Sequence, residues 1–222
     1  MRGKGFFSSY TGILIFVNVV LFVAFLIMMN SMGDAAIPLV AIQPAMIMAG
    51  QNVWTFITSM FMHASMTHLF VNMVSLFFLG TFVERLIGKK RFLWLYVVGG
   101  LVASLFFVVL AGFFGGSSLG GMVFGSPLAF AVGASGAIFA LGGLLAVLTP
   151  KLPVLVFFVI PMPMWMAMIG LIVVVWLASL ALPFGVGNTA HLGGLLVGIA
   201  YGFYLKKKFP RKTQMISRYF SK

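Results

Sequence analysis

The sequence contains no cysteine, and Asp34 and Glu84 are its only acidic residues among 222 positions. The absence of cysteine excludes disulfides, thiol nucleophiles and thiolate metal sites. Charged residues make up only 7% of the chain, whereas soluble domains contain about 25%. A chain with so little charge cannot dissolve as a globule.

Hydrophobic residues make up 62% of the sequence and form several long runs. A helix needs about 20 apolar residues to cross a membrane, and these runs are long enough. The sequence therefore predicts an all-α polytopic membrane protein, with six transmembrane helices bundled in one domain over 1–222. The predicted spans are 11–30, 63–84, 92–114, 131–149, 164–182 and 190–205, followed by a basic cytoplasmic tail at 206–222.

Three connecting segments have distinctive compositions. Residues 31–53 contain two prolines that argue against a continuous span, so this first loop either rests in the membrane interface or is an ordinary loop. Residues 112–127 are rich in Gly and Ser and are expected to form a mobile outer loop. Pro161 and Pro163 are expected to separate an entry segment from the fifth helix.

The basic residues are segregated along the chain. All fourteen lysines and arginines lie in the N-terminal stub, in the loops after the second and fourth predicted spans, or in the tail. This pattern follows the positive-inside rule and predicts both termini on the cytoplasmic side of the cell membrane. It favours a topology signal that touches anionic lipid, rather than a nucleic-acid-binding arm, as the role of the tail.

Four polar residues are predicted to lie at one depth below the outer surface: Ser135, His191, His68 and Asn72. At 1.5 Å per residue, they lie about 20 to 25 Å above the inner ends of their helices. Intramembrane histidines are costly, which makes them functional candidates. Ser135 alone could be a small interface residue, and His68 with Asn72 could simply join helices by hydrogen bonds.

Small residues predict which helix faces meet. One stripe comprises His191, Gly194, Gly198 and Gly202, and the facing stripe comprises Ser135, Phe139, Gly142 and Ala146. Repeats of Gly-xxx-Gly allow close backbone approach in lipid. Packing of the two stripes would bring Ser135 and His191 within hydrogen-bonding range.

The chemistry available at this depth is that of a serine hydrolase. A serine hydroxyl needs a base, usually histidine, that takes its proton. A carboxylate normally orients that histidine, but Glu84 is predicted about 18 Å below the site, and Asp34 lies in the first outer loop. A hydrolase here would therefore use a dyad of Ser135 and His191. Backbone N–H groups at the start of the serine helix are candidate oxyanion donors, together with the polar side chains of the second span.

Three further residues are expected to have structural roles. His63 would hold a loop at the mouth of the second span, and Glu84 would pair with the basic inner loop. Trp54 would anchor the chain in the membrane interface.

Four motifs, in order on the predicted spans, resemble those of the rhomboid intramembrane serine proteases in their six-span prokaryotic form. The resemblance covers nearly the whole chain. The motifs are His63-x4-His68-x3-Asn72, Gly80-x3-Glu84-x3-Gly88, Gly133-Ala134-Ser135-Gly136 and Ala190-His191-x2-Gly194-x3-Gly198.

The resemblance implies that Ser135 is the nucleophile and that His191 is the general base and then the acid. It implies that His68 and Asn72 stabilise the oxyanion alongside the Ser135 backbone N–H. The substrate would be a single-span membrane protein, cleaved near the outer face after a small residue and admitted by opening of the fifth helix. The residues expected to support this site are His63, Phe139, Gly133, Gly136, Gly194 and Gly198.

Two positions depart from the family pattern. Trp54 is followed by Thr55 where many members have arginine, and Phe139 stands where many have tyrosine. Stacking beneath the His191 imidazole survives the second change, whereas a hydroxyl contact does not.

Three other functions are open on the sequence alone. A catalytically silent rhomboid-like protein would bind transmembrane helices without cutting them. A zinc site of His63, His68 and His191 is disfavoured, because His63 and His68 are five residues apart. A transporter fits the composition, but so few charged groups offer no coupling-ion site. No metal, cofactor or nucleic acid is expected.

Overall fold

This computed structural model describes residues 6–156, 159–181 and 187–220. Parts of four predicted segments lie outside the described residues: the N-terminal stub at 1–5, the entry segment at 157–158, the end of the fifth span with its outer loop at 182–186, and the last two residues of the tail. The helices are α1 (Tyr10–Met32), α2 (Ile37–Val40), α3 (Pro44–Met48), α4 (Thr55–Thr58), α5 (Met66–Ser75), α6 (Thr81–Ile87), α7 (Lys89–Phe114), α8 (Ser118–Phe124), α9 (Ser135–Leu148), α10 (Met164–Ala181), α11 (Asn188–Lys208) and α12 (Pro210–Tyr219); the strands are β1 (Pro153–Val156) and β2 (Ile160–Pro163).

Each predicted span overlaps helical structure, as expected for an all-α bundle, although the helix of the second span begins at Met66 and that of the fourth at Ser135. The second span is built from α5, a π-helical stretch over Leu76–Gly80, and α6. Among the described residues, three stretches are long and apolar enough to cross a membrane: Tyr10–Val40, Met66–Ile87 and Lys89–Phe114. Two shorter helices, Ser135–Leu148 and Met164–Ser179, are also apolar. The count of six crossings stays a prediction.

The centre of the bundle is α9. Nearly all of its residues are buried, and α7, α10 and α11 pack around it. Leu141, Leu144 and Leu145 are fully buried in the main core cluster. The helix that begins at Ser135 is therefore held on all sides, which fixes the position of its first turn.

Three connecting segments contain more secondary structure than the sequence predicts. The first loop forms a 3-10 turn at Gly33–Ala36 followed by α2 and α3, which have proline in their first turns, where proline is tolerated. The predicted mobile loop at 112–127 contains the end of α7 and all of α8. The entry segment before α10 is an antiparallel hairpin of β1 and β2.

Glu84 differs from its predicted role. Instead of pairing with the basic inner loop, its carboxylate accepts hydrogen bonds from the N–H groups of Tyr10 and Thr11, at 3.0 and 2.9 Å, and from the Thr11 hydroxyl at 2.8 Å. The first N–H groups of a helix lack intrahelical partners and carry partial positive charge. A buried carboxylate from α6 therefore caps α1 and ties the two helices together.

Candidate active site

Ser135 and His191 meet at one end of the bundle. Ser135 is the first residue of α9, and His191 lies in the first turn of α11. The Ser135 Oγ is 2.8 Å from the His191 Nε2, which is a normal hydrogen-bonding distance. Ser135 is half-buried and His191 is 9% exposed. The two side chains are therefore within reach for direct proton transfer.

Glycines of α11 bring the two helices into contact. A Cβ placed on Gly194 would lie 2.0 Å from the Gly136 carbonyl oxygen, and one on Gly198 would lie 2.0 Å from that of Ala140. No side chain fits in either gap. The predicted α11 stripe is therefore correct, and it sets the backbone separation that places the imidazole against the hydroxyl.

The predicted facing stripe on α9 is wrong in part. Gly142 faces α10, because a Cβ there would lie 2.4 Å from the Met168 sulfur. The residue that meets α11 is Gly143, where a Cβ would lie 2.4 Å from the Leu195 carbonyl oxygen. The contact face of α9 is thus rotated by about one residue from the predicted one.

The His191 imidazole is held by stacking. Its ring centroid lies 4.6 Å from that of Phe139, with 22° between the planes. The His191 Nδ1 is buried and has no hydrogen-bonding partner among the residues that the structure describes. Asp34 is exposed in the turn after α1, and Glu84 caps α1. Ser135 and His191 therefore form a pair in which the imidazole is supported by the Phe139 ring, and neither carboxylate of the chain lies beside it.

His68 lies across from the serine. Its Nδ1 accepts a hydrogen bond from the Ala64 N–H at 3.4 Å, so its proton belongs on Nε2. Gly133 has φ +133°, and a Cβ built there would lie 3.1 Å from the His68 Nε2 and 3.5 Å from the Ser135 Oγ. The space left by the missing side chain of Gly133 therefore adjoins both groups.

Asn72 and His63 lie behind His68. The Asn72 Nδ2 donates to the His68 carbonyl oxygen at 2.9 Å, and its Oδ1 is buried without a partner in the described part of the chain. His63 is fully buried, its ring edge-on to His68 with centroids 5.1 Å apart, and neither of its ring nitrogens has a partner among the described residues. The Asn72 donor is thus engaged on its own helix.

A cavity of about 310 Å³ opens beside these side chains. Its lining includes Ser135, His191, His68 and Gly133, and its far side is formed by small residues of α7, Gly100 and Ala103. Asn72 and His63 are not among the lining residues. The cavity places a partly enclosed, mainly apolar space next to the serine hydroxyl.

The first loop and the helical turn at Ser59–Phe61 fix the segment before Ser135, a feature that sequence reasoning missed. Ile42 and Ala131 form a β-bridge with hydrogen bonds of 3.0 and 2.8 Å, and the Gly133 N–H donates to the Ser59 carbonyl oxygen at 2.8 Å. These backbone bonds join segments distant in sequence. Of these features, only the positive φ of Gly133 could have been anticipated from the sequence, because glycine adopts positive φ without strain.

The first loop is held in place even though Thr55 stands where many family members have arginine. The Trp54 indole N–H donates to the Leu39 carbonyl oxygen at 2.9 Å, and the Thr58 hydroxyl donates to that of Val40 at 3.0 Å. The indole is 51% exposed. Its predicted role as an interfacial anchor stays a prediction.

A metal centre has no support in the ligand geometry. Among the described residues, no group of three or more His, Asp or Glu side chains is arranged to hold a metal ion.

The fold and this site define a class: a polytopic helical membrane protein with a serine and a histidine paired at one end of the bundle. A family model for the Rhomboid domain matches residues 50–208. The chain belongs to the rhomboid family.

Curated relatives agree with that assignment. Rhomboid protein 1, mitochondrial, from Saccharomyces cerevisiae is 32% identical over 163 residues, which are 72% of this chain and 44% of the relative. RHOMBOID-like protein 4 from Arabidopsis thaliana is 33% identical over 167 residues, which are 72% of this chain and 36% of the relative. Rhomboid protease GluP from Bacillus subtilis is 33% identical over 150 residues, which are 65% of this chain and 24% of the relative. The matched region spans less than half the length of these relatives.

Proposed function

We propose that this chain is an intramembrane serine endopeptidase that cleaves transmembrane-helix substrates. The observation that carries the proposal is the 2.8 Å contact between the Ser135 Oγ and the His191 Nε2. A relative of the same family bears the name Rhomboid protease GluP, which supports the reaction class.

In the proposed mechanism, Ser135 is the nucleophile and His191 the general base. The Oγ attacks the scissile carbonyl carbon while its proton passes to Nε2, and the carbonyl electrons move onto the oxygen. His191 then gives the proton to the leaving amine, the C–N bond breaks, and an acyl-Ser135 ester remains. A water molecule repeats the sequence: it loses a proton to His191 and attacks the ester, and Ser135 regains a proton as the acid departs.

The developing oxyanion would occupy the space beside Gly133. The His68 Nε2–H faces this space, and the Ser135 backbone N–H begins α9 without an intrahelical partner. Donors already aimed at such a site contribute about 2.7 to 4 kcal/mol each. Asn72 would contribute less, because its N–H is engaged by the His68 carbonyl oxygen.

Phe139 would take over part of the role that a carboxylate has in a triad. Stacking at 4.6 Å restricts rotation of the His191 ring and keeps Nε2 directed at the hydroxyl. His63 would support His68 from behind through their edge-on contact.

The proposed substrates are single-span membrane proteins, cleaved near the outer face after a small residue. Both termini of the chain would lie on the cytoplasmic side of the cell membrane, as the distribution of basic residues favours. The outer part of α10 would move to admit substrate. In the described state it is tied down by the Trp176 indole, which donates to the Val123 carbonyl oxygen at 2.9 Å.

The test is cleavage of a single-span fluorescent substrate by the full chain in liposomes. Ser135→Ala and His191→Ala are each expected to abolish cleavage, while a strong chelator leaves the wild-type rate unchanged. Wild-type rates in either variant would refute the dyad. Binding of the substrate by the wild-type chain without cleavage would favour the silent rhomboid-like alternative.

A further inference from the structure

The hairpin of β1 and β2 lies at the end of the bundle opposite Ser135. It follows the C-terminal end of α9 and precedes α10. Lys151 adjoins it in sequence, and α11 ends at the same side with Lys206, Lys207 and Lys208. Between Lys151 and Lys206, however, the sequence contains no Lys, Arg, Asp or Glu.

The described side chains of this hairpin are apolar, and those on one face are exposed. From Leu152 to Met164 the sequence contains no polar side chain. Leu155 is 59% exposed and Val159 is 76% exposed, whereas Val154 packs against the main core cluster. The hairpin is thus attached to the bundle on one side and presents hydrocarbon on the other.

The hydrogen-bonding register leaves few unpaired N–H groups at the edges of the hairpin. Leu152 and Met164 form a hydrogen-bonded pair, since the Met164 N–H donates to the Leu152 carbonyl oxygen at 2.9 Å. Pairs alternate in antiparallel strands, so the N–H groups at 153, 155, 161 and 163 point away from the partner strand. Three of these four positions are proline and have no N–H.

Prolines at edge positions stop a further strand from pairing. For a hairpin in water, the need to block strand pairing would explain the three prolines, but it would not explain why every side chain is apolar. At the membrane interface, both features have one explanation. Apolar side chains gain contact with acyl chains, and proline removes N–H groups that would otherwise be unpaired there, while the outward carbonyl oxygens can bond to headgroup water. The hairpin also continues into the exposed apolar face of α10, beginning at Trp165 and Met166.

We propose that the described part of this hairpin, residues 152–156 and 159–163, lies in the interfacial region of the leaflet at the basic end of the bundle, with its exposed apolar side chains in contact with lipid acyl chains and its outward carbonyl oxygens within reach of headgroup water. This surface anchors the start of α10, which the Met164 and Trp165 N–H groups also tie back to Leu152 and Pro150. The inference requires only that the chain is a membrane protein, and it does not depend on protease activity.

The absence of native cysteine permits a clean test with single-cysteine variants of the full chain in lipid nanodiscs, where both faces are accessible. Val159→Cys reports on the hairpin. Lys151→Cys is the control for a water-exposed position at the same end, and Val173→Cys, on the exposed apolar face of α10, is the control for a lipid-exposed position. In one assay, the rate at which each variant reacts with a water-soluble maleimide is measured. In a second assay, each variant is labelled with an environment-sensitive fluorophore, and quenching of its fluorescence by spin-labelled phospholipid is measured.

We expect Val159→Cys to react at least tenfold more slowly than Lys151→Cys, and its fluorophore to be quenched at least half as strongly as that at Val173→Cys. Reaction within threefold of Lys151→Cys would place the hairpin in water and overturn the proposal. Slow reaction with weaker quenching would mean that protein, such as a second copy of the chain, covers the hairpin, and would overturn it equally.

Discussion

Replacement of Gly194 by alanine should separate the two helices that carry the proposed dyad. The new Cβ would lie 2.0 Å from the Gly136 carbonyl oxygen, where real contacts are essentially never below 3.0 Å. The backbones must therefore move apart by about 1 Å, which would stretch the contact between the Ser135 Oγ and the His191 Nε2 to about 3.8 Å, beyond hydrogen-bonding range. A misplacement of about 1 Å at a reacting centre costs roughly 100-fold in rate.

The assay is the rate of cleavage of a single-span substrate in liposomes at saturating substrate, together with the melting temperature. Gly194→Ala should lower kcat about 100-fold, and overpacking should destabilise the fold by about 1 to 3 kcal/mol. Gly170→Ala is the matched control on α10, because a Cβ there meets nothing within 4 Å. A Gly194→Ala enzyme as active as Gly170→Ala, at a temperature where both are folded, would refute the link between helix approach and activity.

Three other substitutions test separate parts of the site. Gly133→Ala should lower kcat about 100-fold or more, because the methyl group fills the space beside the His68 ring and the backbone is strained at φ +133°. An unchanged kcat would show that the oxyanion does not bind in this space. Phe139→Ala should lower kcat more than Phe139→Tyr, which keeps the stacked ring, and equal rates would argue against a role for stacking. Glu84→Gln should lower stability by about 1 to 3 kcal/mol, by weakening the cap on α1, with little change in kcat at low temperature; an unchanged melting temperature would contradict the capping role.

The helices were predictable because they depend on local patterns, and the approach of Ser135 to His191 was predictable because glycine spacing indicates which helix faces can meet. Apolar runs indicate helices in a membrane protein, and the glycine stripe of α11 indicates which face approaches a neighbour. Spacing alone does not fix the rotation of the partner helix, and Met168 on α10 occupies the space beside Gly142 that the prediction gave to α11.

The other differences arise from contacts between segments far apart in sequence. The Glu84 cap depends on α1 starting beside α6, and the bridge between Ile42 and Ala131 depends on where the first loop crosses the bundle. The hairpin was missed for another reason. Short apolar runs have the same appearance whether they form strands or buried helix, so only the pairing of β1 with β2 distinguishes them.

The most direct test of the central claim is to identify by mass spectrometry which residue a fluorophosphonate modifies in the full chain in liposomes. Activation of the Ser135 hydroxyl by His191 predicts a single adduct on Ser135 in the wild-type chain and none in His191→Ala. An adduct on another serine, or the same yield on Ser135 without His191, would contradict the proposed dyad.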